Sequence, residues 1–309
     1  MRVVFLGSGS FAIPSLEALL EAGHDVAAVV TQPDREKGRG RALAPPPLKP
    51  VASARGLKIL QPRRVREPEA VAALKALAPE IQVVVAYGQI LPRSVIDVAP
   101  RGTVNVHASL LPRYRGAAPV QWAIVNGETE TGVTTMLIDE GLDTGPILLA
   151  ETTAIGDEET ADVLESRLAV QGADLLLRTL TGLERNRISP RPQDAARATL
   201  APLIRKEDGL IDWSRRAEAI ARRVRGFHPW PGAHTSWHGR GLRVLRAHAA
   251  AGGAGAPGTV LSIDRDGLLV AAGEDTAVRL VEVQPESRKP MLAAAFAAGA
   301  RLGPGARLG

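Results

Sequence analysis

Three polar residues of this 309-residue chain, Asn105, His107 and Asp143, are the candidate reactive groups. Asn105 and His107 lie at the end of a strand predicted from Thr103, and because strand side chains alternate with a period of two, both are expected to face one pocket. An amide, an imidazole and a carboxylate suit acyl transfer to an amine, in which an oxygen gains negative charge and the attacking nitrogen loses a proton. The chain has no cysteine and no serine in a nucleophile-elbow motif, so we expect transfer without a covalent acyl-enzyme.

Each of these three residues also has a structural interpretation. An Asn at a strand end commonly satisfies backbone groups, a single His is more often structural than catalytic, and an Asp before Thr-Gly stabilises turns. The chemistry therefore depends on the sequence that surrounds them.

Apolar runs alternate with helical patterns along the first half of the chain. Residues 2–6 predict a strand that is followed by a helix at 12–22, and the run at 81–86 predicts a buried strand. This alternation is typical of an α/β fold with a doubly wound, mostly parallel, Rossmann-like sheet. Ligands of such sheets bind outside the carboxyl ends of the strands, where His107 and residues 139–145 fall.

Composition predicts a catalytic domain at 1–184, a Pro- and Arg-rich linker at 185–203 and a C-terminal domain at 204–309. Short alternating runs predict that the last domain is small and β-rich, with a barrel as one arrangement. The net charge is +5, and residues 204–309 hold 16 Lys and Arg against 10 Asp and Glu. This excess favours a polyanionic partner, nucleic acid before membrane, although a basic surface unrelated to binding explains it equally well. With no apolar leader at its N-terminus, the chain is expected to be cytoplasmic.

A long basic loop, punctuated by Gly and Pro, interrupts the alternation at residues 34–50. Its cationic side chains Arg35, Lys37, Arg39 and Arg41 are suited to phosphate contacts, so we expect the loop to bind nucleic acid. A solvated insertion is the alternative.

A competing motif follows the first strand. Residues 7–12 read Gly-Ser-Gly-Ser-Phe-Ala, which satisfies the dinucleotide-binding pattern before a helix. That pattern also needs an acidic residue at the end of the second strand, where this chain places Thr31, Gln32 and Pro33 before Asp34. We therefore expect the glycines to permit a tight turn and no nicotinamide or flavin to bind.

Other residues receive the simpler interpretation. His234 and His238 are four apart, but the residues between them read as a strand, so we expect no metal site. Trp213, Trp230 and Trp237 could stack on bases, yet a domain with few aromatic residues more often uses them in its core.

The motifs around the three polar residues resemble those of the folate-dependent formyltransferases. The resemblance covers nearly the whole chain and rests on residues 31–35 (Thr-Gln-Pro-Asp-Arg), 85–92 (Val-Ala-Tyr-Gly-Gln-Ile-Leu-Pro), 105–112 (Asn-Val-His-Ala-Ser-Leu-Leu-Pro), 113–119 (Arg-Tyr-Arg-Gly-Ala-Ala-Pro), 141–145 (Gly-Leu-Asp-Thr-Gly) and 227–231 (Phe-His-Pro-Trp-Pro).

The resemblance implies that Asn105, His107 and Asp143 are catalytic. It implies transfer of the formyl group of 10-formyltetrahydrofolate to the α-amine of methionine carried by initiator tRNA, without a metal. The folate site would include Ser109, Leu110, Leu111 and Pro112. The loop with Arg35, Lys37, Arg39 and Arg41 would contact tRNA, helped by an OB-like C-terminal barrel. We expect a monomer.

Three alternatives remain open at this point. The same chemistry could serve glycinamide ribonucleotide or an amino sugar nucleotide as the acceptor. The motif at residues 7–12 could support a nicotinamide-dependent oxidoreductase. The chain could also be an RNA-binding protein with an inactive catalytic fold.

Overall fold

The computed structural model describes residues 1–37 and 42–309, without the side chain of Lys37. These residues form two compact units, each assembled from separate stretches of chain. The first unit comprises residues 1–116, 131–153 and 165–201, and the second comprises residues 117–130, 154–164 and 202–309.

The strands that begin before residue 202 in the described part are β1 (Arg2–Gly7), β2 (Asp25–Val30), β3 (Arg35–Lys37), β4 (Ala42–Ala44), β5 (Ile59–Leu60), β6 (Ile81–Val85), β7 (Thr103–His107), β8 (Arg115–Gly116), β9 (Glu130–Leu137), β10 (Ile147–Ala154) and β11 (Leu200–Ala201). The helices are α1 (Ile13–Glu21), α2 (Leu48–Ala54), α3 (Pro68–Ala76), α4 (Arg93–Ile96), α5 (Pro119–Asn126), α6 (Ala161–Glu184), α7 (Ala217–Gly226) and α8 (Ala293–Ala300). Short 3-10 helices lie at Ser10–Ala12, Ala195–Arg197 and Lys206–Gly209.

The first unit is built on a seven-stranded sheet in the order β10-β9-β7-β6-β1-β2-β5. Strands β5, β2, β1, β6 and β7 run parallel, and β9 joins β7 antiparallel. All five residues of β6 are buried, as expected for a central parallel strand covered on both faces. The predicted mostly parallel, Rossmann-like sheet is thus confirmed.

Local sequence explains where the helices of this unit begin and end. Pro14 lies in the first turn of α1, where its missing N–H costs nothing, and Gly23 follows the helix with a φ of 76°. Leu16 and Leu19 of α1 are fully buried. Burial of a leucine side chain contributes about 1.5–3 kcal/mol, so these two residues fix the helix to the core of its unit.

Residues 34–50, expected to be one long loop, contain regular structure. Strands β3 and β4 form a short antiparallel pair, with Arg35 opposite Ala44, and α2 begins at Leu48. Strands of three residues leave almost no periodic signal in a sequence, so the sequence does not predict this pair.

The second unit holds an antiparallel sheet in the order β12-β13-β16-β15-β14, with β17 on β16. These strands are β12 (His234–Trp237), β13 (Arg240–Ala250), β14 (Val260–Asp264), β15 (Gly267–Ala271), β16 (Ala277–Pro285) and β17 (Met291–Leu292). Its core includes Trp213, Ile220, Val244 and Leu280. The prediction that this part of the chain is β-rich is confirmed.

None of the helices formed by residues 1–37 and 42–309 is both long enough and apolar enough to cross a bilayer.

Candidate active site

Strand β7 carries Asn105 and His107 on one face of the large sheet. Asn105 pairs in register with Val84 of β6 and Met136 of β9. His107 is only 7% exposed, whereas Asn105 is half-buried. Within the described residues, no group hydrogen-bonds the Asn105 side-chain amide, so this amide is available to a ligand.

The His107 ring is oriented by a backbone carbonyl. Its Nε2 lies 3.0 Å from the carbonyl oxygen of Tyr114. Because a carbonyl only accepts, Nε2 must carry the hydrogen, and Nδ1 of the neutral ring then carries none. Nδ1 lies 3.7 Å from Oδ2 of Asp143, so a proton gained there would face a carboxylate.

Asp143 is fixed by backbone contacts. It has a φ of 51°, in the left-handed region, and its Oδ2 accepts a 2.8 Å hydrogen bond from the Gly116 N–H. A Cβ at position 116 would lie 2.6 Å from the carbonyl oxygen of Ala201, so glycine is required there. The distance of 3.7 Å to His107 exceeds hydrogen-bond length, so the Tyr114 carbonyl rather than Asp143 orients the ring directly.

Gln193 holds the loop that bears Asp143. Its Nε2 donates 2.8 Å hydrogen bonds to the carbonyl oxygens of Asp143 and Gly145. Its Oε1 accepts from Nε and Nη2 of Arg115, at 3.1 and 2.7 Å. Sequence reasoning placed Gln193 in a plain linker, because its Pro- and Arg-rich neighbours give no signal of a role near Asp143.

The segment Ser109–Pro112 follows β7 directly and is held by Thr134 of β9. Thr134 Oγ1 donates to the Ser109 carbonyl at 2.7 Å and accepts from the Leu111 N–H at 3.2 Å. Leu110 lies against position 132, where a Cβ would come within 2.6 Å of its side chain, so Gly132 makes room for it. The four residues thus form a fixed loop beside His107.

The basic segment, from Arg35 to Arg41, begins at a residue that is hydrogen-bonded just beyond the end of β2. Arg35 is exposed on β3, and its Nη2 donates to Gln32 Oε1 at 3.0 Å. Lys37 ends β3. Arg39 and Arg41 lie outside the described residues.

Asp34, which precedes this segment, forms an ion pair with Lys49. Lys49 Nζ lies 2.8 Å from both carboxylate oxygens, and Gln61 Nε2 donates to Oδ1 at 2.7 Å. These hydrogen bonds, chiefly that from Lys49, hold the pKa of the Asp34 carboxyl below its ordinary value. The acidic residue nearest the end of β2 is therefore already occupied and is a poor ligand for a ribose hydroxyl.

The turn after β1 is filled by protein contacts. Ser8 Oγ donates to the Tyr87 carbonyl at 3.1 Å and accepts from the Gln32 N–H at 3.0 Å. A Cβ at position 7 would lie 2.8 Å from the Phe5 ring, so Gly7 is required for packing. No group of His, Asp and Glu suited to a metal ion occurs in the part of the chain that the structure describes.

Comparison with known proteins agrees with this geometry. A family model described as formyl transferase matches residues 1–180, and one described as formyl transferase, C-terminal domain, matches residues 203–301. Together these matches define a two-domain formyl transferase, an enzyme that transfers a formyl group. Membership in this class argues against the alternative that residues 7–12 bind the cofactor of a nicotinamide-dependent oxidoreductase.

Individual relatives narrow the class. Methionyl-tRNA formyltransferase from Solibacter usitatus is 56% identical, with 100% of this chain and 99% of that one covered. The chain belongs to the methionyl-tRNA formyltransferase family.

Two solved structures share the fold. The N-formyltransferase from Helicobacter canadensis, in complex with folinic acid and dTDP-3-aminofucose, has a TM-score of 0.68 at 18% identity, covering 92% of this chain and 99% of that one. Methionyl-tRNA formyltransferase from Clostridium thermocellum has a TM-score of 0.55 at 18% identity, covering 80% and 92%.

Replacing Gln193 tests its hold on the Asp143 loop. Gln193→Leu removes two hydrogen bonds to that loop, each contributing about 0.5–1.5 kcal/mol, so kcat for formyl transfer is expected to fall roughly tenfold to hundredfold. The matched control is Gln284→Leu, because Gln284 donates to one exposed carbonyl, that of Arg288, in the second unit. Equal kcat values for the two variants would show that the hydrogen bonds from Gln193 to the Asp143 loop do not affect formyl transfer.

Proposed function

We propose that this chain transfers the formyl group of 10-formyltetrahydrofolate to the α-amine of methionine esterified to initiator tRNA. The observation that carries the proposal is the unpaired Asn105 amide on the same strand face as His107, whose Nδ1 lies 3.7 Å from Asp143. The 56% identity to a methionyl-tRNA formyltransferase over the full chain supports the choice of acceptor.

The three side chains divide the work of the transfer. The amine attacks the formyl carbon, and as the new C–N bond forms, the carbonyl oxygen becomes negative and the nitrogen positive. Asn105 donates to this oxygen, and a pre-arranged donor is worth more in a site from which water is excluded. Asp143 accepts the proton from the nitrogen. The bond to the donor nitrogen of the folate then breaks, and that nitrogen takes up the proton that Asp143 accepted, which restores the carboxylate.

The role of His107 follows from its bond to Tyr114. Since Nε2–H is engaged by the carbonyl, the ring offers a second donor only through Nδ1 of its doubly protonated form. We propose that this form helps Asn105 to stabilise the oxygen, and that the Asp143 carboxylate balances its charge until the carboxylate takes up the amine proton.

The other predicted contacts are carried forward as proposals. Ser109, Leu110, Leu111 and Pro112 would line the folate site, supported by their fixed position beside His107. Arg35, Lys37, Arg39 and Arg41 would contact tRNA phosphates. The reaction needs no metal, because the charge changes are met by side chains, and we propose that a cytoplasmic monomer carries it out.

A comparison of acceptors tests the proposal. Initiator methionyl-tRNA is expected to be formylated with a kcat/KM far above those for elongator methionyl-tRNA, glycinamide ribonucleotide and dTDP-3-aminofucose. The sugar nucleotide belongs in the test because the Helicobacter canadensis structure contains it. Preference for either small acceptor would reject the proposed function, and formylation of none by a folded protein would favour an inactive RNA-binding fold.

A further inference from the structure

Trp230 stands apart from the other tryptophans of the C-terminal sequence. Trp213 is 6% exposed in the core of the second unit and Trp237 packs against that core, whereas Trp230 is 57% exposed. The expectation that all three build the core is therefore wrong for Trp230. An aromatic side chain normally buries about 150–250 Å² on folding, whereas more than half of the Trp230 surface is open to a ligand.

The loop that bears Trp230 is fixed at both ends. The Gly232 N–H donates to the Phe227 carbonyl at 2.9 Å and closes the loop. Phe227 is fully buried, with its ring 5.8 Å from that of Trp122 in an edge-to-face contact. The exposed indole is thus presented from an anchored backbone.

Arg243 of β13 lies beside the same loop. Its Nη2 donates to the carbonyls of Pro229 and Pro231, at 2.8 and 3.4 Å, on either side of Trp230. A Cβ at position 232 would lie 2.3 Å from Nη2, so Gly232 permits this approach. The guanidinium is thereby held next to the loop that carries the indole.

The Arg243 guanidinium and the Trp230 indole can both still contact a ligand. No carboxylate among the described residues pairs with Arg243, and its Nε–H and Nη1–H groups make no hydrogen bond there. Likewise, no ring or guanidinium in residues 1–37 and 42–309 stacks on Trp230. An exposed indole near a guanidinium that has no carboxylate partner among the described residues matches a nucleotide, whose base stacks and whose phosphate accepts a charge-assisted hydrogen bond.

We propose that Trp230 and Arg243 form a contact site for one unpaired nucleotide of the tRNA substrate. The base stacks on the Trp230 indole, and its phosphate accepts a hydrogen bond from a free N–H group of Arg243. This inference rests on the proposed tRNA acceptor. It assigns recognition to a loop outside the candidate active site and outside the basic segment that begins at Arg35.

Equilibrium binding of uncharged initiator tRNA tests the site. Trp230→Ala is expected to bind about five- to hundredfold more weakly, the range for loss of one stacked base, whereas Trp230→Phe retains most of the affinity. Arg243→Gln should lower the slope of log Kd against log salt by about 0.7–1, because one phosphate contact is lost. Trp230→Phe should also lose most of the fluorescence quenching that tRNA causes in the wild type.

Leu292→Ala is the matched control. Leu292 is also 57% exposed in the second unit, so its loss removes similar exposure without an aromatic face, and tRNA affinity is expected to stay at the wild-type value. Thermal unfolding of each variant checks that the fold is kept.

Three outcomes would overturn the inference. Wild-type tRNA affinity in folded Trp230→Ala rejects the stacking site, and equal losses in Trp230→Ala and Leu292→Ala reject its specificity. A wild-type dimer that becomes monomeric on Trp230→Ala in sedimentation would assign the indole to a protein contact instead. Failure of the proposed function is distinguishable, because a chain that neither formylates nor binds initiator tRNA gives no wild-type signal.

Discussion

Asn105→Ala and His107→Ala are each expected to lose roughly 10²–10³-fold in kcat for formyl transfer while binding charged initiator tRNA as the wild type does. The expected loss is that of one donor to an oxygen that becomes negative only as the reaction proceeds. Single-turnover formylation with bound tRNA measures the chemical step, and a separate binding assay isolates affinity.

His248→Ala is the control for these variants. The His248 ring also lies beside a carboxylate, with Nδ1 3.1 Å from Glu158 Oε1, but it is partly exposed on β13 of the second unit. Its kcat is expected to equal that of the wild type. Wild-type turnover in Asn105→Ala or His107→Ala would remove the residue concerned from the reaction.

Gly145→Ala is expected to destabilise the fold and to abolish most of the activity. A Cβ at position 145 would lie 1.8 Å from the carbonyl oxygen of Leu137, a separation that no relaxed structure tolerates. The loop must therefore move, which breaks the hydrogen bonds of Gln193 and displaces Asp143. We expect a loss of about 1–3 kcal/mol or more in the free energy of unfolding, measured by urea titration, and a larger fall in kcat than Gln193→Leu produces.

Gly299→Ala provides a control of opposite sign. Gly299 lies within α8, and a Cβ there would meet nothing within 4 Å. Alanine should therefore raise the free energy of unfolding by about 0.5–1 kcal/mol and leave kcat unchanged. If Gly145→Ala unfolded at the same urea concentration as the wild type, the inference that the loop at Gly145 lies too close to β9 for a side chain would be wrong.

The parts of the fold that the sequence predicts well are those that local periodicity specifies. Strands β1, β6 and β7 were expected at 2–6, 81–86 and 103–106 and are observed within one residue of those bounds. Their runs are short and apolar, and central strands of a parallel sheet need such runs. The α/β class follows from the same periodicity.

The contacts that complete the site were not predictable in this way. Gln193 reaches Asp143 across 50 residues of sequence, and a single Gln after a proline carries no periodic signal. The Tyr114 carbonyl that orients His107 is a backbone group, and its direction is fixed only by the folded loop. The candidate site residues can be found from motifs, whereas the groups that position them depend on tertiary structure.

Composition also gives no sign of how the compact units are assembled. Residues 117–130 and 154–164 join residues 202–309 in one unit, although stretches of the first unit separate them in sequence. Such a grouping is set by packing partners distant in sequence. The boundaries at 184 and 204 that composition suggests remain a prediction.

Residues 193–201, the last part of the first unit, limit where related chains could exchange their N-terminal parts by recombination. Gln193 holds the Asp143 loop, Thr199 Oγ1 accepts from the Tyr114 N–H at 2.8 Å, and β11 pairs with β8 next to Gly116. A fragment that ends at residue 184 would retain Asn105, His107 and Asp143 and lose all three of these contacts. We therefore expect an exchange point that preserves the geometry of the candidate site to lie beyond Ala201, well after the last strand of the seven-stranded sheet.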